Sequence, residues 1–244
     1  MIYVATRAGK HHEKSEDTVL VGELILTNEE DTLPIPKEGF VCVADGVGGN
    51  QGGACASSFV LKNILSIASP IDAETLKEEL IRINDLLIHK GKTDINLSSM
   101  ATTLTGLFLR DNERFLMHVG NTRAYTKQGR YLKQITQDHT VYNWLQKKGR
   151  FEEAEVCNKN EITNCFGGGN VSLLSKLYVI EIGEFTQLLF TSDGVHEYVD
   201  IDLLEDILND ESSGEDKCSS ILDAALAAGS DDDMTAIFVC AKEE

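Results

Sequence analysis

Phe40-Val41-Cys42-Val43-Ala44-Asp45-Gly46-Val47-Gly48-Gly49-Asn50-Gln51-Gly52-Gly53 is the stretch from which the fold of this 244-residue chain can be read. It begins as an apolar run with β-branched residues, the mark of a buried strand. It ends on the carboxylate of Asp45 and then turns through five glycines. Glycine admits positive φ and lets a ligand come close to the main chain. A helical pattern follows from Ala54. A buried strand that delivers an Asp into a glycine turn is suited to hold a hard cation.

The pattern recurs. Gln187-Leu188-Leu189-Phe190-Thr191-Ser192-Asp193-Gly194 is a second apolar run closing on Asp-Gly. Ser230-Asp231-Asp232-Asp233-Met234-Thr235 precedes the apolar run 236–240, and Ser15-Glu16-Asp17 precedes Thr18-Val19-Leu20-Val21. Four acidic positions, far apart in sequence, each fall at the end of an expected strand. The simplest arrangement brings them together at one edge of a sheet.

The candidate ligands are all oxygen: Asp45, the Gly46 carbonyl, Asp193, Asp232, and Glu16 or Asp17. No His or Cys shares their motifs, which suits Mg²⁺ or Mn²⁺ rather than Zn²⁺. Two such ions about 3.5–4 Å apart can clamp a phosphoryl oxygen for in-line hydrolysis. Taken singly, an Asp-Gly after a strand is most often a turn, and an acidic triplet is most often a solvated loop. The glycine turn is not a Walker loop, because no Gly-Lys-Ser/Thr follows. It also misses G-x-G-x-x-G, since Gln51 stands where the third glycine belongs.

An apolar fraction of 42% provides for a real core. The net charge of −18 argues against a nucleic-acid backbone or an anionic membrane as partner. Most of that acidity serves solubility. Six cysteines form no C-x-x-C pair, and Cys42 and Cys240 lie in strand patterns. Reduced thiols in a cytoplasmic protein are expected. No signal-like apolar segment opens the chain and no apolar run reaches 18 residues, so neither a secretory signal nor a membrane span is expected. No linker divides it, and a single monomeric domain over residues 1–244 is expected.

Taken in order, strands are expected at 1–6 and 18–26, then an acidic loop at 27–39 with Pro34 and Pro36. Two helices follow the glycine turn, at 54–68 and 73–89, separated by Pro70 and Asp72. They form an αα layer on one sheet face. Strands at 104–109, 115–120, 124–126 and 131–135 read as an antiparallel meander. Asp138-His139-Thr140 starts a helix with Trp144 and Leu145 on its apolar face, ended by Gly149. A further helical turn at 152–156 and a glycine-rich loop at 158–170 come next. A strand at 176–182 should pair with the Asp193 strand. Helices at 203–208 and 216–228 and a last strand at 235–240 complete an α+β sandwich, two sheets inside and helices outside.

Seven motifs stand in a fixed order: Ser15-Glu16-Asp17, Ala44-Asp45-Gly46-Val47-Gly48-Gly49, Ala101-Thr102-Thr103-Leu104, His118-Val119-Gly120-Asn121-Thr122-Arg123, Thr136-Gln137-Asp138-His139-Thr140, Thr191-Ser192-Asp193-Gly194 and Asp232-Asp233-Met234-Thr235. Together they resemble the metal-dependent Ser/Thr protein phosphatases of the 2C type in their compact bacterial form. The resemblance spans nearly the whole chain. It implies a four-layer α/β/β/α sandwich with two central, mainly antiparallel sheets. It implies that Asp45 bridges two Mn²⁺ or Mg²⁺ ions, with the Gly46 carbonyl on one and Asp193 and Asp232 on the other. Glu16 and Asp17 would hold the surrounding water shell. A metal-bridging hydroxide would then attack phosphoserine or phosphothreonine directly, on phosphoproteins that Ser/Thr kinases produce.

Three departures stand out. His12 occupies the position of the family's phosphate-binding Arg, so phosphate binding should be weaker and more pH-sensitive. Asn121 replaces an Asp that helps hold a third, looser ion, so that third site is weak or absent. Val47 stands where eukaryotic relatives carry a His proposed as general acid, leaving the proton donor open. His118 and His196 are left without a catalytic role, and His139 is expected to cap or orient its helix. The loop 149–169 matches the family's flap beside the metals. The alternatives are a weakly active phosphoprotein-binding regulator on the same fold and a phosphatase for small phosphoesters.

Overall fold

The computed structural model describes residues 1–47, 51–68 and 72–241. Gly48, Gly49 and Asn50 of the glycine turn, and Pro70 between the expected helices, lie outside them. The chain opens with β1 (Ile2–Arg7), β2 (Thr18–Val21), β3 (Leu24–Leu26), β4 (Glu30–Leu33), β5 (Glu38–Ala44) and β6 (Gly46–Val47). Helices α1 (Gln51–Ile64) and α2 (Ala73–Thr93) follow. Next come β7 (Ala101–Thr102), β8 (Leu104–Arg110), β9 (Glu113–Val119), β10 (Arg123–Gln128) and β11 (Tyr131–Gln134). Then α3 (Val141–Lys147), α4 (Phe151–Val156), β12 (Phe166–Gly167), β13 (Tyr178–Glu181) and β14 (Gln187–Thr191). The chain continues through α5 (Asp193–His196), α6 (Ile201–Asn209), α7 (Gly214–Ala227) and β15 (Met234–Cys240).

Two six-stranded antiparallel sheets carry the fold, in the orders β11-β10-β14-β15-β1-β4 and β13-β9-β8-β5-β2-β3. Three hydrophobic cores separate four layers. Successive side chains of a strand point to opposite faces, and β5 shows it. Its Val41 and Val43 enter the core between the sheets, where Leu188, Phe190, Ile237 and Val239 meet them. Phe40, Cys42 and Ala44 face the other way, into a core with Val60, Leu61 and Ile64 of α1 and Leu76, Leu80, Ile83 and Leu87 of α2. On the far side Leu189, Ala236 and Phe238 pack under Leu204 and Leu208 of α6 and Ile221 and Leu222 of α7. Strands buried on both faces are nearly continuous apolar runs, which is why 40–44 and 187–191 read so clearly.

Helix α2 starts where Asp72 caps it, its carboxylate accepting the Thr75 amide at 2.8 Å. The expected four-layer sandwich is therefore the observed one. No helix among the described residues is long and apolar enough to cross a membrane.

Several local expectations are corrected. The strand expected at 18–26 is a hairpin, β2 paired with β3, because Gly22 at φ +59° reverses the chain. The acidic loop contains β4, which pairs with β1 as an edge strand. The meander is split: β8 and β9 lie in one sheet and β10 and β11 in the other. Asn121 and Thr122 carry the chain across. Strand β13 pairs with β9 rather than with the Asp193 strand. Within the glycine-rich loop, β12 pairs with β7. Helix α1 begins three residues early, so Gly52 and Gly53 belong to its first turn.

Candidate active site

Two strand pairs, one per sheet, deliver the acids. Antiparallel β2 and β5 place Thr18 opposite Ala44. Asp17, one residue before β2, and Asp45, one residue after β5, therefore emerge side by side. In the other sheet Thr191 of β14 lies opposite Ala236 of β15. Asp193 leaves β14 as Asp232 and Asp233 lead into β15. The acids thus gather at one end of the sandwich between two sheets, not along one edge of a single sheet.

Polar side chains tie the two sheets together there. Thr235, in line with Ile237 and Val239, points inward and donates to Asp17 Oδ2 at 2.7 Å. Asp233 shares that parity and is buried. Its Oδ1 accepts the Gly9 amide at 2.7 Å; its Oδ2 accepts the Glu16 amide at 2.6 Å and faces His12 Nδ1 at 3.0 Å. One carboxylate so anchors the 9–16 loop to the start of the last strand. Asp232 has the opposite parity, is exposed, and accepts the Asp233 amide at 2.8 Å.

The Asp45 backbone is locked from β7 and the residue after it. Its amide donates to Thr103 Oγ1 at 3.0 Å, and its carbonyl accepts the Thr103 amide at 2.9 Å and Thr102 Oγ1 at 2.8 Å. Gly46 and Gly53 press together: a Cβ on Gly46 would lie 2.4 Å from Gly53 C, and one on Gly53 2.4 Å from Glu16 Oε2. These two positions need glycine for close approach. The Glu16 carboxylate accepts the Ala54 amide in the first turn of α1. Buried Asn121 donates from Nδ2 to Asp193 Oδ2 at 2.8 Å.

Electrostatics mark the cluster. Burial, the charges of Asp193 and Asp17, a hydrogen bond shared with Asp193 and the charge of Asp232 push the Asp45 carboxyl well above the usual carboxylate range. Burial also raises Asp17, against hydrogen bonds from Thr235 and Ser192, with Asp233 and Asp193 adding. Asp232, exposed as a residue, is raised by partial desolvation of its carboxylate against the cluster and by the charge of Asp193. At the end of α5, burial and Asp193 lift Glu197 to about 7, while an Asn160 hydrogen bond and Arg123 pull the other way.

Two buried acceptors, Asp17 Oδ1 and Asn121 Oδ1, have no hydrogen-bond partner, an uncommon state for buried polar atoms. Mutually repelling carboxylates, orphan oxygens and an all-oxygen donor set fit a hard divalent cation. Among the described residues no three His, Cys, Asp or Glu side chains form a ready-made ligand cage. The acids are gathered rather than converged.

Asp17, Asp45, Asp193 and Asp232 thus come together, while Glu16 turns to α1, His12 and Asp233. His12 sits at the cluster's rim against Asp233. Asp233 itself went unnoticed in the sequence; its parity with Thr235, Ile237 and Val239 was the available signal. Thr140, not His139, caps α3, accepting the Asn143 amide at 3.2 Å. His139 instead accepts the Gly120 amide on Nδ1 at 3.1 Å. Leu145 is buried as expected, but Trp144 is 47% exposed under the Arg150 guanidinium. His118 is structural: Nδ1 pairs with Thr105 Oγ1 at 2.8 Å and Nε2 donates to the Gln137 carbonyl at 3.0 Å. Buried His196 bonds Thr191 Oγ1 at 2.8 Å. The 158–163 segment is tied to the start of α3, with the Val141 amide on the Glu161 carbonyl at 2.8 Å and the Thr163 amide on the His139 carbonyl at 2.7 Å. Asn160 of the same segment donates to Glu197. Between them lies a cavity of about 310 Å³ lined also by Arg123 and Lys159.

Comparison with known proteins agrees with this geometry. The chain is 26% identical to the serine/threonine phosphatase stp of Listeria welshimeri over 242 aligned residues, covering 94% of this chain and 90% of that protein. It is 28% identical to the protein phosphatase PhpP of Streptococcus pneumoniae, covering 84% and 87%. The crystal structure of the serine/threonine phosphatase Stp1 from Staphylococcus aureus superposes with a TM-score of 0.80 at 26% identity, covering 99% and 95%. That of the Mycobacterium tuberculosis phosphatase PstP/Ppp shares the fold, with a TM-score of 0.82 at 22% identity over 100% and 99%. The family described as protein phosphatase 2C matches residues 32–236. With four acids brought from two sheets to one end of an α/β/β/α sandwich, the chain belongs to the protein phosphatase 2C family, hydrolases that remove phosphate from proteins.

Proposed function

We propose that this chain hydrolyses phosphoserine and phosphothreonine in proteins, at a site that takes two divalent cations. The observation that carries the reading is the meeting of Asp45 and Asp193: carboxyls delivered by strands of different sheets stand close enough that the Asp193 charge opposes ionisation of Asp45, with Asp17 and Asp232 beside them. The family is metal-dependent. Asp45, the Gly46 carbonyl, Asp193 and Asp232 would hold Mn²⁺ or Mg²⁺, with Glu16 and Asp17 around them. When bound, such ions polarise a phosphoryl group and acidify water.

The chain's own residues position that chemistry. Thr102 and Thr103 fix Asp45, Asn121 aims Asp193, and Thr235 holds Asp17. With Nδ1 on Asp233, His12 has Nε2 left to donate to a phosphate oxygen. Asn121 turns its amide nitrogen toward Asp193, and an amide is a poorer cation ligand than the carboxylate of relatives, which supports a weak or absent third ion. We take residues 1–244 as one catalytic domain, a reading supported by pairing of β1 with β15. Six free cysteines support a reducing, cytoplasmic setting. Substrates made by Ser/Thr kinases, and a monomeric enzyme, complete the proposal.

Phosphate release from a phosphothreonine peptide, with and without millimolar Mn²⁺, tests it. Mn²⁺-dependent turnover is expected. Tight peptide binding without turnover would replace it with the regulator reading. A higher kcat/KM on small phosphoesters would replace the substrate class.

Burial opposes it, yet the hydrogen bond and charge of Asp233, then Glu16 and Asp232, hold His12 above the usual imidazole value. The charged form is lost as pH rises through that raised value, so KM for phosphopeptide is expected to climb there. His12→Arg should flatten the KM–pH profile and lower KM on the alkaline side. An unchanged profile would remove His12 from phosphate binding.

Asp17 and Asp45 hold protons more tightly folded than unfolded. The metal-free protein therefore loses stability as pH rises from the ordinary carboxylate range, about 4, through their raised values. Mn²⁺ binds the ionised forms and should reverse that slope. Tm followed upward from the ordinary carboxylate range should fall with pH in chelator and rise with pH in Mn²⁺.

A further inference from the structure

A second cavity, of about 700 Å³, adjoins the one walled by Glu197 and shares Asp138, Thr140 and Asn143 with it. None of Asp17, Asp45, Asp193 and Asp232 lines it. Its walls carry three lysines, Lys147, Lys148 and Lys176, and three rings, Trp144, Tyr178 and His139. In a chain of net charge −18 this is an unusual concentration of positive charge. Among the described residues none of the three lysines forms an ion pair. Lys147 donates to the neutral Gln137 side chain at 2.6 Å. The lining acid, Asp138, is already engaged: its carboxylate takes Arg123 at 2.7 Å and Gln134 at 2.8 Å.

The rings present aromatic surface. His139 and Tyr178 meet edge to face at 6.4 Å and 86°. His139 is neutral: burial and the charge of Lys147 hold it at about 4, Asp138 opposing and Lys176 adding. Its Nδ1 accepts the Gly120 amide, so the ring proton sits on Nε2. Arg150 stands over the Trp144 indole at 5.5 Å, and the half-exposed indole also lines the cavity.

We propose that this cavity binds a mononucleotide-sized aromatic anion, its ring against Trp144 and Tyr178 and its phosphate among Lys147, Lys148 and Lys176. The volume falls within the range of small-ligand sites, about 300–1,000 Å³. Aromatic faces stack on bases regardless of sequence, and ammonium groups suit phosphate as point charges. An open pocket that sets three exposed lysines beside aromatic rings suits a ligand carrying both an anionic group and a planar ring.

Trp144 is the chain's one tryptophan, so its fluorescence reports this cavity alone. The probe is adenosine 5′-monophosphate, titrated into the Mn²⁺-loaded protein and excited at the red edge of indole absorption. A saturable quench is expected, weakened at least tenfold in Lys148→Gln/Lys176→Gln and progressively by salt. Adenosine and inorganic phosphate, tested separately, should each bind more weakly than the nucleotide. The same quench should persist in Asp45→Asn, whose catalytic carboxylate is gone; its loss there would assign the nucleotide to the catalytic centre and overturn the proposal. So would the absence of a saturable quench, equal affinity in the lysine variant, or an acidic peptide that quenches Trp144 where the nucleotide does not.

Discussion

Asp45→Asn is expected to lower kcat by about three orders of magnitude, the scale of removing a preorganised charge-stabilising group. The substitution keeps the side chain's volume and deletes one negative charge. That charge is opposed by its surroundings: burial, Asp193, Asp17 and Asp232 all disfavour it. Only a bound cation makes it tolerable. Metal-free Asp45→Asn is therefore expected to melt at a higher temperature than the parent chain in chelator. A variant that is inactive yet more heat-resistant in chelator is the signature of a site that stores like-charge repulsion for function. Activity within tenfold of the parent would remove Asp45 from the chemistry. An unchanged or lower Tm would show that the carboxylates do not strain the metal-free fold.

Asp233→Ala is expected to cost about 3 kcal/mol, or about 6–12 °C in Tm, since each stranded buried donor costs about 1–3 kcal/mol. Three donors lose their acceptor: the amides of Gly9 and Glu16 and the ring of His12. The loop 9–16 then loses its tie to β15, and Glu16 and His12 lose their placement beside the cluster. Mn²⁺ affinity and KM for phosphopeptide should worsen together. Asp231→Ala is the control. Its side chain is exposed, facing His11 at 3.7 Å, and its removal should change stability by no more than about 0.5 kcal/mol. Equal effects of the two substitutions would mean that the Asp233 network carries no more weight than a surface pair.

Much of the molecule was legible because its cues are local. The runs 40–44, 187–191 and 236–240 are apolar on both faces, which only a strand covered by layers on each side can use. Leu76, Leu80, Ile83 and Leu87 repeat at helical spacing and all are buried. Asp45 and Asp193 stand where a strand ends, and it is the repetition of that position, not either one alone, that singles them out. The failures are equally local in cause. A run such as 18–26 shows its β-propensity but not its reversal, since Gly22 reads the same whether it bends a strand or folds it back. Trp144 looks like a core residue until Arg150 is seen above it.

What the sequence by itself determined is the set of elements, the two-sheet sandwich and the identity of the acids. Those follow from periodicity and from residues at strand ends, both properties of neighbouring positions. What only the tertiary structure decided is which strands pair and therefore which acids meet. Asp17 reaches Asp45 through β2–β5 register, and Asp193 reaches Asp232 through β14–β15 register, in different sheets. Thr235 then joins the two halves across the inter-sheet core. The hydrogen bond between Asp17 and Thr235, 218 positions apart and in different sheets, depends on the packing of whole layers. No local pattern encodes it. Parity along the strand groups Asp233 with Thr235, Ile237 and Val239, but which of the two parities is inward is decided only once a second sheet lies opposite.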